Sequence, residues 1–339
     1  MPPIHLYATT GDAVARIASP DGQRFEVTMM LEGSGAQCIA ADPDDPDRVY
    51  VGTFDQGLFR SRDGGQTWEN VSAGIPHGRV LSVAFAPARR AGGKAAIYAG
   101  TEPSNLYRSE DDGQTWEEFP ALRELPSAPT WSFPPRPWTS HVRWIAAHPA
   151  DPEIVYVGIE LGGVMRSLDG GRTWEDRKPG SYHDSHCLAT HPAHPDRVYE
   201  AAGEGVAWSH DAGHTWQAVD AGKDRHYTWG LAVDAANPDL WYVSATFSAR
   251  TAHRRDGNAQ AHIYRKRGDG PWEPVGENGG LPSPLPYMPY SLVAPRNHPG
   301  AIIAGMQHGE LWLSEDAGDT WRRLDVALPA LLALAEAAR

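Results

Sequence analysis

The stretch Ser61–Trp68, SRDGGQTW, decides the architecture. It returns as SEDDGQTW at Ser109–Trp116, SLDGGRTW at Ser167–Trp174, SHDAGHTW at Ser209–Trp216 and SEDAGDTW at Ser314–Trp321. A phrase that recurs at intervals of tens of residues through a 339-residue chain marks copies of one supersecondary unit. In each copy the aspartate (Asp63, Asp111, Asp169, Asp211, Asp316) can fold its carboxylate onto local backbone N–H groups. The glycine two residues later can take positive φ, which is hairpin-turn chemistry. The closing tryptophan opens a strand and offers a large ring to the space between units, with an N–H that needs an acceptor.

A second pattern lies upstream: CIAADPDDPDRVYVG from Cys38, WIAAHPADPEIVYVG from Trp144, CLATHPAHPDRVYEA from Cys187 and GLAVDAANPDLWYVS from Gly230. Two β-rich runs flanking an Asp/Asn/Pro turn read as a hairpin. Each unit therefore holds four strands, and the pattern gives units at about 36–75, 80–125, 141–180, 185–222, 227–281 and 289–327. Residues 4–31 supply only three strands, with a decayed turn at Asp21-Gly22 and Phe25 where a tryptophan is expected. The apolar segment 330–337, ALLALAEA, resembles the first strands of the other units and completes this one, although its Ala/Leu content also suits a short helix. Ring closure favours the strand, because it removes exposed sheet edges.

The five phrases resemble the Asp-box, or BNR, repeat (S-x-D-x-G-x-T-W) of sialidase-like β-propellers, in which the box closes the turn between a blade's third and fourth strands. The resemblance implies an all-β, seven-bladed β-propeller of four-stranded antiparallel blades, its first blade closed by the C-terminal strand, in a single domain over 1–339. That superfamily includes sialidases, xyloglucan-cleaving glycosidases, sorting receptors and photosystem assembly factors, so the fold does not select a function.

Composition narrows the partners. The chain carries a net charge of −13 and no long Lys/Arg run, which argues against nucleic acid. No stretch approaches the roughly 20 apolar residues of a membrane span, and the N-terminus lacks a signal-like apolar run, so a cytoplasmic location and no membrane contact are expected. Cys38 and Cys187 occupy the same position in units two and five and read as buried thiols of a reducing compartment.

Where the repeats agree they maintain the fold; where they differ, another reason is needed. Three residues and one residue before the Cys38-equivalent position stand Arg79 and Leu81, His141 and Arg143, Asp184 and His186, Tyr227 and Trp229, Met288 and Tyr290. Strand parity puts both members of each pair on one side, at the mouth of the axial channel. In propellers of this kind the loops between second and third strands share that face. They add Glu102, Glu160, Glu204 and His308, and His77, His183, Arg225, His226 and Tyr287 lie just outside. Two insertions reach the same face: 124–141, with Trp131, Phe133 and Trp138, and 247–262, with Arg250, His253, Arg254 and Arg255. Each reads equally as a lid or as a solvated loop. His148, His191, His194 and His298 fall in Asp/Pro turns on the opposite face and are set aside.

The gathered groups suit a hydrolase or lyase acting on a small molecule or glycan. His141, Glu160, Asp184, His186 and Tyr227 are the candidate catalytic residues. Arg79, Glu102, Arg143, Trp144, His183, His226, Trp229, Tyr290 and His308 are the candidate substrate-binding residues. Paired carboxylates can divide acid and base roles. A divalent metal is a candidate cofactor, held by His141 and His186 with Glu160 or Asp184. The two histidines of His183-Asp184-Ser185-His186 reach one ion only if the chain turns between them. Sialidase chemistry is disfavoured, because the Arg-Ile-Pro opening is absent. The alternative is a non-catalytic platform for a protein or ligand, for which Trp131, Trp138 and Tyr287 are the expected exposed aromatics.

Overall fold

The strands form seven antiparallel sheets, each built from segments consecutive in the sequence except where the ring closes. The computed structural model describes residues 3–88, 95–277 and 279–337. Blade one joins the C-terminal strand Ala333–Glu336 to Ile4–Thr9, Val14–Ser19 and Glu26–Met30. Leu6 pairs with Glu336 and Thr9 with Ala333. Tertiary pairing thus overrides the helical preference of the Ala/Leu segment, and Leu331 and Leu334 are buried in the cluster shared by blades one and seven. Consecutive first strands are neighbours around the axis, and the C-terminal strand stands between those of blades seven and two.

Blades two, three, five, six and seven have four strands, their first strands being Ala36–Ala41, Arg79–Phe85, Ser185–His191, Tyr227–Val233 and Pro289–Val293. Blade four has Val142–Ala147, Val155–Ile159 and Gly163–Ser167, with its fourth strand reduced to one bridge between Arg166 and Glu175.

The boxes do what their residue types require. The Ser61 hydroxyl donates to Asp63 Oδ1 and accepts the Gly65 N–H, each at 2.8 Å. Asp63 also takes the Thr67 N–H at 2.9 Å and the Thr67 hydroxyl at 2.6 Å. The other four boxes repeat this set, for instance Ser167, Asp169, Gly171 and Thr173. The Thr67 bonds and the Ser61 hydroxyl hold the Asp63 carboxyl down at about 2, as expected of a carboxylate that only accepts.

In four blades a third-strand arginine, which in three of them stands just before the box, ties one blade to the next. Arg108 donates to the Gly170 carbonyl at 2.9 Å, Arg166 to Ala212 at 2.7 Å and Arg265 to Ala317 at 2.6 Å, and Arg60 bonds the Asp112 carbonyl in the same way. Each also pairs with a glutamate following the tryptophan of its own blade: Glu69, Glu117, Glu175 or Glu273. Close approach at the axis needs small residues. A Cβ on Gly52 would lie 2.4 Å from the Val80 carbonyl oxygen of the next blade, and one on Gly100 would lie 2.5 Å from Val142.

One buried position breaks the repeat. Val51, Ala99, Val157, Val243 and Ala304 occupy equivalent second-strand places, opposite Ile39, Val83, Ile145, Leu231 and Leu292. Blade five puts Glu200 there, opposite Leu188, fully buried. Its Oε2 accepts the Tyr182 N–H at 3.0 Å, while Oε1 has no hydrogen-bond partner. Burial pushes this carboxyl up to about 8. The folded state then keeps a proton that the unfolded chain loses above its ordinary value, so stability falls as pH rises from roughly 4.5 to roughly 8. The loss across that window is on the order of 5 kcal/mol. Glu200→Val, which restores the residue of blades two, four and six, should flatten this dependence. Urea midpoints at pH 5 and pH 8.5 check it: the advantage of the variant must grow with pH, and a constant difference would mean that Glu200 titrates normally.

Candidate functional site

The first strands of six blades carry a β-bulge where they enter the axial face. The register shifts lie between Ala36 and Cys38, Val80 and Ser82, Val142 and Trp144, Ser185 and Cys187, Thr228 and Leu231, and Pro289 and Ser291. A bulged residue leaves the ladder and its side chain is re-aimed. The residues displaced in this way include Gln37, Leu81, Arg143, His186, Trp229 and Tyr290. Simple strand parity found these positions, but the bulge is the physical reason that they converge. All but His186 line a cavity of about 510 Å³, and they also line a narrower chamber of about 280 Å³ down the axis. Trp144, Cys38 and Cys187 belong to the narrower chamber.

Both insertions form cavity wall. Phe133, Pro134, Pro135 and Arg136 come from the first, and Ala249 and His253 from the second. The first begins as two 3-10 turns, Pro120–Glu124 and Ala128–Thr130. The second includes the short helix Ala249–Ala252, capped by Ser248, whose hydroxyl accepts the Thr251 N–H. Trp131 is not the exposed aromatic expected. It is buried at 8% exposure in a cluster with Val142, Val157 and Ile159, which anchors the insertion to the blade, and its indole N–H donates within the insertion to the Ser127 hydroxyl at 3.0 Å. Trp138, at 79%, is exposed.

The charged groups sort into two sets. Glu102 takes Arg136 through both oxygens at 2.6 Å and Arg79 at 2.7 Å, which holds the first insertion against blade three. Burial alone would raise the Glu102 carboxyl, but these arginines keep it below its ordinary value. Glu160 is the centre of the second set. Its Oε2 lies 3.0 Å from His141 Nε2 and 3.6 Å from Arg143 Nε. Burial opposes its charge, yet the His141 hydrogen bond and Arg143 hold the carboxyl down at about 2. Glu160 is therefore ionised at neutral pH and can act as a base, nucleophile or ligand rather than as an acid. His141 stands between the two sets, its Nδ1 3.7 Å from Glu102.

Beside Glu160 lie Asp184 and the fully buried His186, whose Nε2 is 3.3 Å from Asp184 Oδ1. One potential ligand atom from each of Glu160, Asp184 and His186 falls within 4.8 Å of the others. That group holds His186 but not His141, which touches it only through Glu160. An aromatic wall completes the cavity: Trp229 stacks beside Tyr227 and Tyr290, and Arg143 lies over its ring at 4.6 Å. Gln307 donates to the Tyr290 hydroxyl at 2.9 Å, leaving that hydroxyl's proton for His253 Nδ1 at 2.6 Å. Burial raises the Tyr227 phenol far above its ordinary range, so it stays neutral.

The rim is less uniform than its sequence positions suggest. His141, Arg143, Glu160, Asp184, Tyr227, Trp229 and Tyr290 line the cavity. Arg79 and Glu102 are engaged with one another beside it. His183 and His226 are exposed outside the wall, and His308 stacks on Tyr287 with ring centroids 3.8 Å apart. His183, in the bend before the strand Ser185–His191, is thus exposed, whereas His186 is buried. Phe54, Arg136 and Gln37 were not singled out as site residues from sequence. Gln37 sits at the bulge position and was readable by the same rule as Arg143. Phe54, under the Arg79 and Arg136 guanidinium groups at 4.5 and 5.4 Å, carried no such signal.

A family model described as the BNR/Asp-box repeat matches residues 59–70. No curated protein sequence matches the chain. Solved structures similar to it include an ancestral GH74 enzyme, at 18% identity and a TM-score of 0.64 over 85% of this chain. The alignment spans only 38% of that enzyme's length. YCF48 bound to D1 peptide aligns at 17% identity and a TM-score of 0.57, over 95% of this chain and 85% of that one. A functionally unknown protein from Desulfotomaculum acetoxidans DSM 771 aligns at 11% identity and a TM-score of 0.61 over 99% of both chains. At these identities the likeness is one of fold. Among the described residues no helix is long and apolar enough to cross a membrane.

The clamp on Glu102 gives a direct expectation. Glu102→Leu leaves Arg136 and Arg79 without their shared carboxylate, and should lower stability by about 3 kcal/mol. Urea unfolding measures the loss. Limited proteolysis should at the same time cut faster within 124–141, and unchanged cleavage there would show that Arg136 does not hold the insertion.

Proposed function

We propose that this chain, an Asp-box (BNR) repeat β-propeller, is a hydrolase or lyase acting in the axial cavity on a small molecule or glycan that bears an anionic group. The observation that carries the reading is Glu160, an ionised carboxylate held by His141 and Arg143 at the wall of a cavity large enough for a sugar ring. In this reading Arg143 receives the anionic group, Trp229, Tyr227 and Tyr290 stack against the ring, and Glu160 serves as base or nucleophile. The closeness of Glu160 to Asp184 favours a nucleophilic or ion-assisted course. An inverting pair stands about 6.5–9.5 Å apart to admit water between its carboxyls.

A sialidase course has little support. Arg79 and Arg136 are taken up by Glu102, Arg225 is taken up by Asp224 and the Gln260 carbonyl, and the neutral Tyr227 hydroxyl has His253 as neighbour at 3.5 Å. We place the protein in a reducing, cytoplasmic compartment. Cys38 and Cys187 are free, and burial pushes both thiols up to about 12, where they are inert. The second reading, a peptide-binding platform, draws on the exposed Trp138, in the insertion whose Phe133 and Arg136 line the cavity.

A panel of aryl glycosides, uronides, carboxylic esters and phosphate esters at neutral pH tests the proposal. Glu160→Gln should lower kcat/KM on the active class by roughly 100-fold or more while circular dichroism stays unchanged. Absence of turnover on every class would end the enzyme reading and leave the platform.

A further inference from the structure

His186 sits in an arrangement that a neutral side chain does not explain. Its ring is fully buried, and Nδ1 lies 2.6 Å from the Thr228 carbonyl oxygen. A carbonyl offers only lone pairs, so Nδ1 carries a proton, and in the neutral ring Nε2 then presents its own lone pair. That lone pair has no hydrogen-bond partner and faces Asp184 Oδ1 at 3.3 Å. Two acceptors held face to face, one on a buried ring and one on a half-buried carboxylate, repel, so a positive centre belongs between them.

A proton alone fits poorly. An imidazolium–carboxylate hydrogen bond closes to about 2.7–2.9 Å. The 3.3 Å separation matches instead the edge of a coordination tetrahedron, about 3.4 Å for bonds of about 2.1 Å. Glu160 supplies a third donor atom within the same 4.8 Å group, on the cavity side. The backbone around Asp184 is shaped to hold its carboxylate: a Cβ on Gly203 would lie 2.1 Å from Asp184 Oδ2, so only glycine leaves that space. Glu204 accepts the Asp184 N–H at 3.1 Å. The Thr228 carbonyl on the far nitrogen of His186 is the outer contact by which metal-bound imidazoles are oriented. Arg143 opposes a cation, but it offsets only one of the two carboxylate charges.

We propose that Glu160, Asp184 and His186 bind one divalent transition-metal ion, with a coordination position left open toward the cavity. One imidazole with two carboxylates suits Zn²⁺ or Co²⁺ better than Mg²⁺ or Ca²⁺, which take oxygen donors. The ion lies in the cavity of the proposed hydrolase or lyase and rests on that reading only for its use in catalysis, as the centre that activates a water.

Calorimetric titration of metal-free, tag-free protein with Zn²⁺, and of the same protein with Co²⁺ followed by visible absorption, tests the site. One ion per chain is expected, with cobalt bands of a tetrahedral or five-coordinate centre. Asp184→Asn and His186→Gln should each abolish stoichiometric binding. His141→Asn, which removes the ring nitrogen bonded to Glu160, should weaken it about tenfold to a hundredfold. Absence of stoichiometric binding by the parent protein overturns the proposal without recourse to any variant, as does binding undiminished in both Asp184→Asn and His186→Gln. Binding without turnover of any substrate class would remove the hydrolase reading and leave the ion site. Turnover by chelator-treated protein that binds no ion would do the reverse.

Discussion

A ring of sheets stands or falls on how each sheet is held to the next, and at four of the seven junctions an arginine makes that contact. Arg60, Arg108, Arg166 and Arg265 each reach from the third strand of one blade to a box carbonyl of the next. A guanidinium suits the task because its planar fork can satisfy a carbonyl and a carboxylate at once. The glutamate on its own blade balances a charge that would otherwise be costly to bury. The Asp box is the other half of the contact. Its internal hydrogen bonds fix the turn, and the fixed turn aims a carbonyl at the neighbour's arginine. The repeated phrase thus acts as a rigid socket as well as a hairpin closure.

The repeat content was legible because it is local. Ser, Asp, Gly and Thr within eight residues determine the turn whatever surrounds them, and ring closure followed from counting strands. The arginine before three of the boxes and the glutamate after them were equally visible as letters, but their meaning depends on a blade some fifty residues further on. Glu200 was readable as a departure from Val51, Val157 and Val243 at one place in the second strand. It was hidden because a single acidic residue within an apolar run resembles ordinary variation until burial is known. His186 could be named as a site residue but not assigned its tautomer, since that depends on the carbonyl of Thr228 in the neighbouring blade.

Within the site, charge is partitioned by distance from the cavity. Glu102 absorbs Arg79 and Arg136 and so serves the wall, joining an insertion to the ring. Glu160 is left with a histidine and one arginine, which keep it charged without enclosing it. His141 bonds Glu160 and stands 3.7 Å from Glu102, between the two sets. The aromatic side is built differently, from stacked rings whose polar ends are tied to Gln307 and His253. A polar half and an apolar half meet at Arg143, which lies over Trp229 while it approaches Glu160.

The bulges that aim Gln37, Leu81, Arg143, His186, Trp229 and Tyr290 at the axis also remove these residues from the ladder. The backbone makes its bonds around them, so their identity contributes little to holding a strand in register. Six positions, one from each of six blades, can therefore be rewritten together while the sockets and clasps remain as they are. That separation divides the ring into a frame in which every part answers to a neighbour and a mouth whose side chains stand outside the ladder.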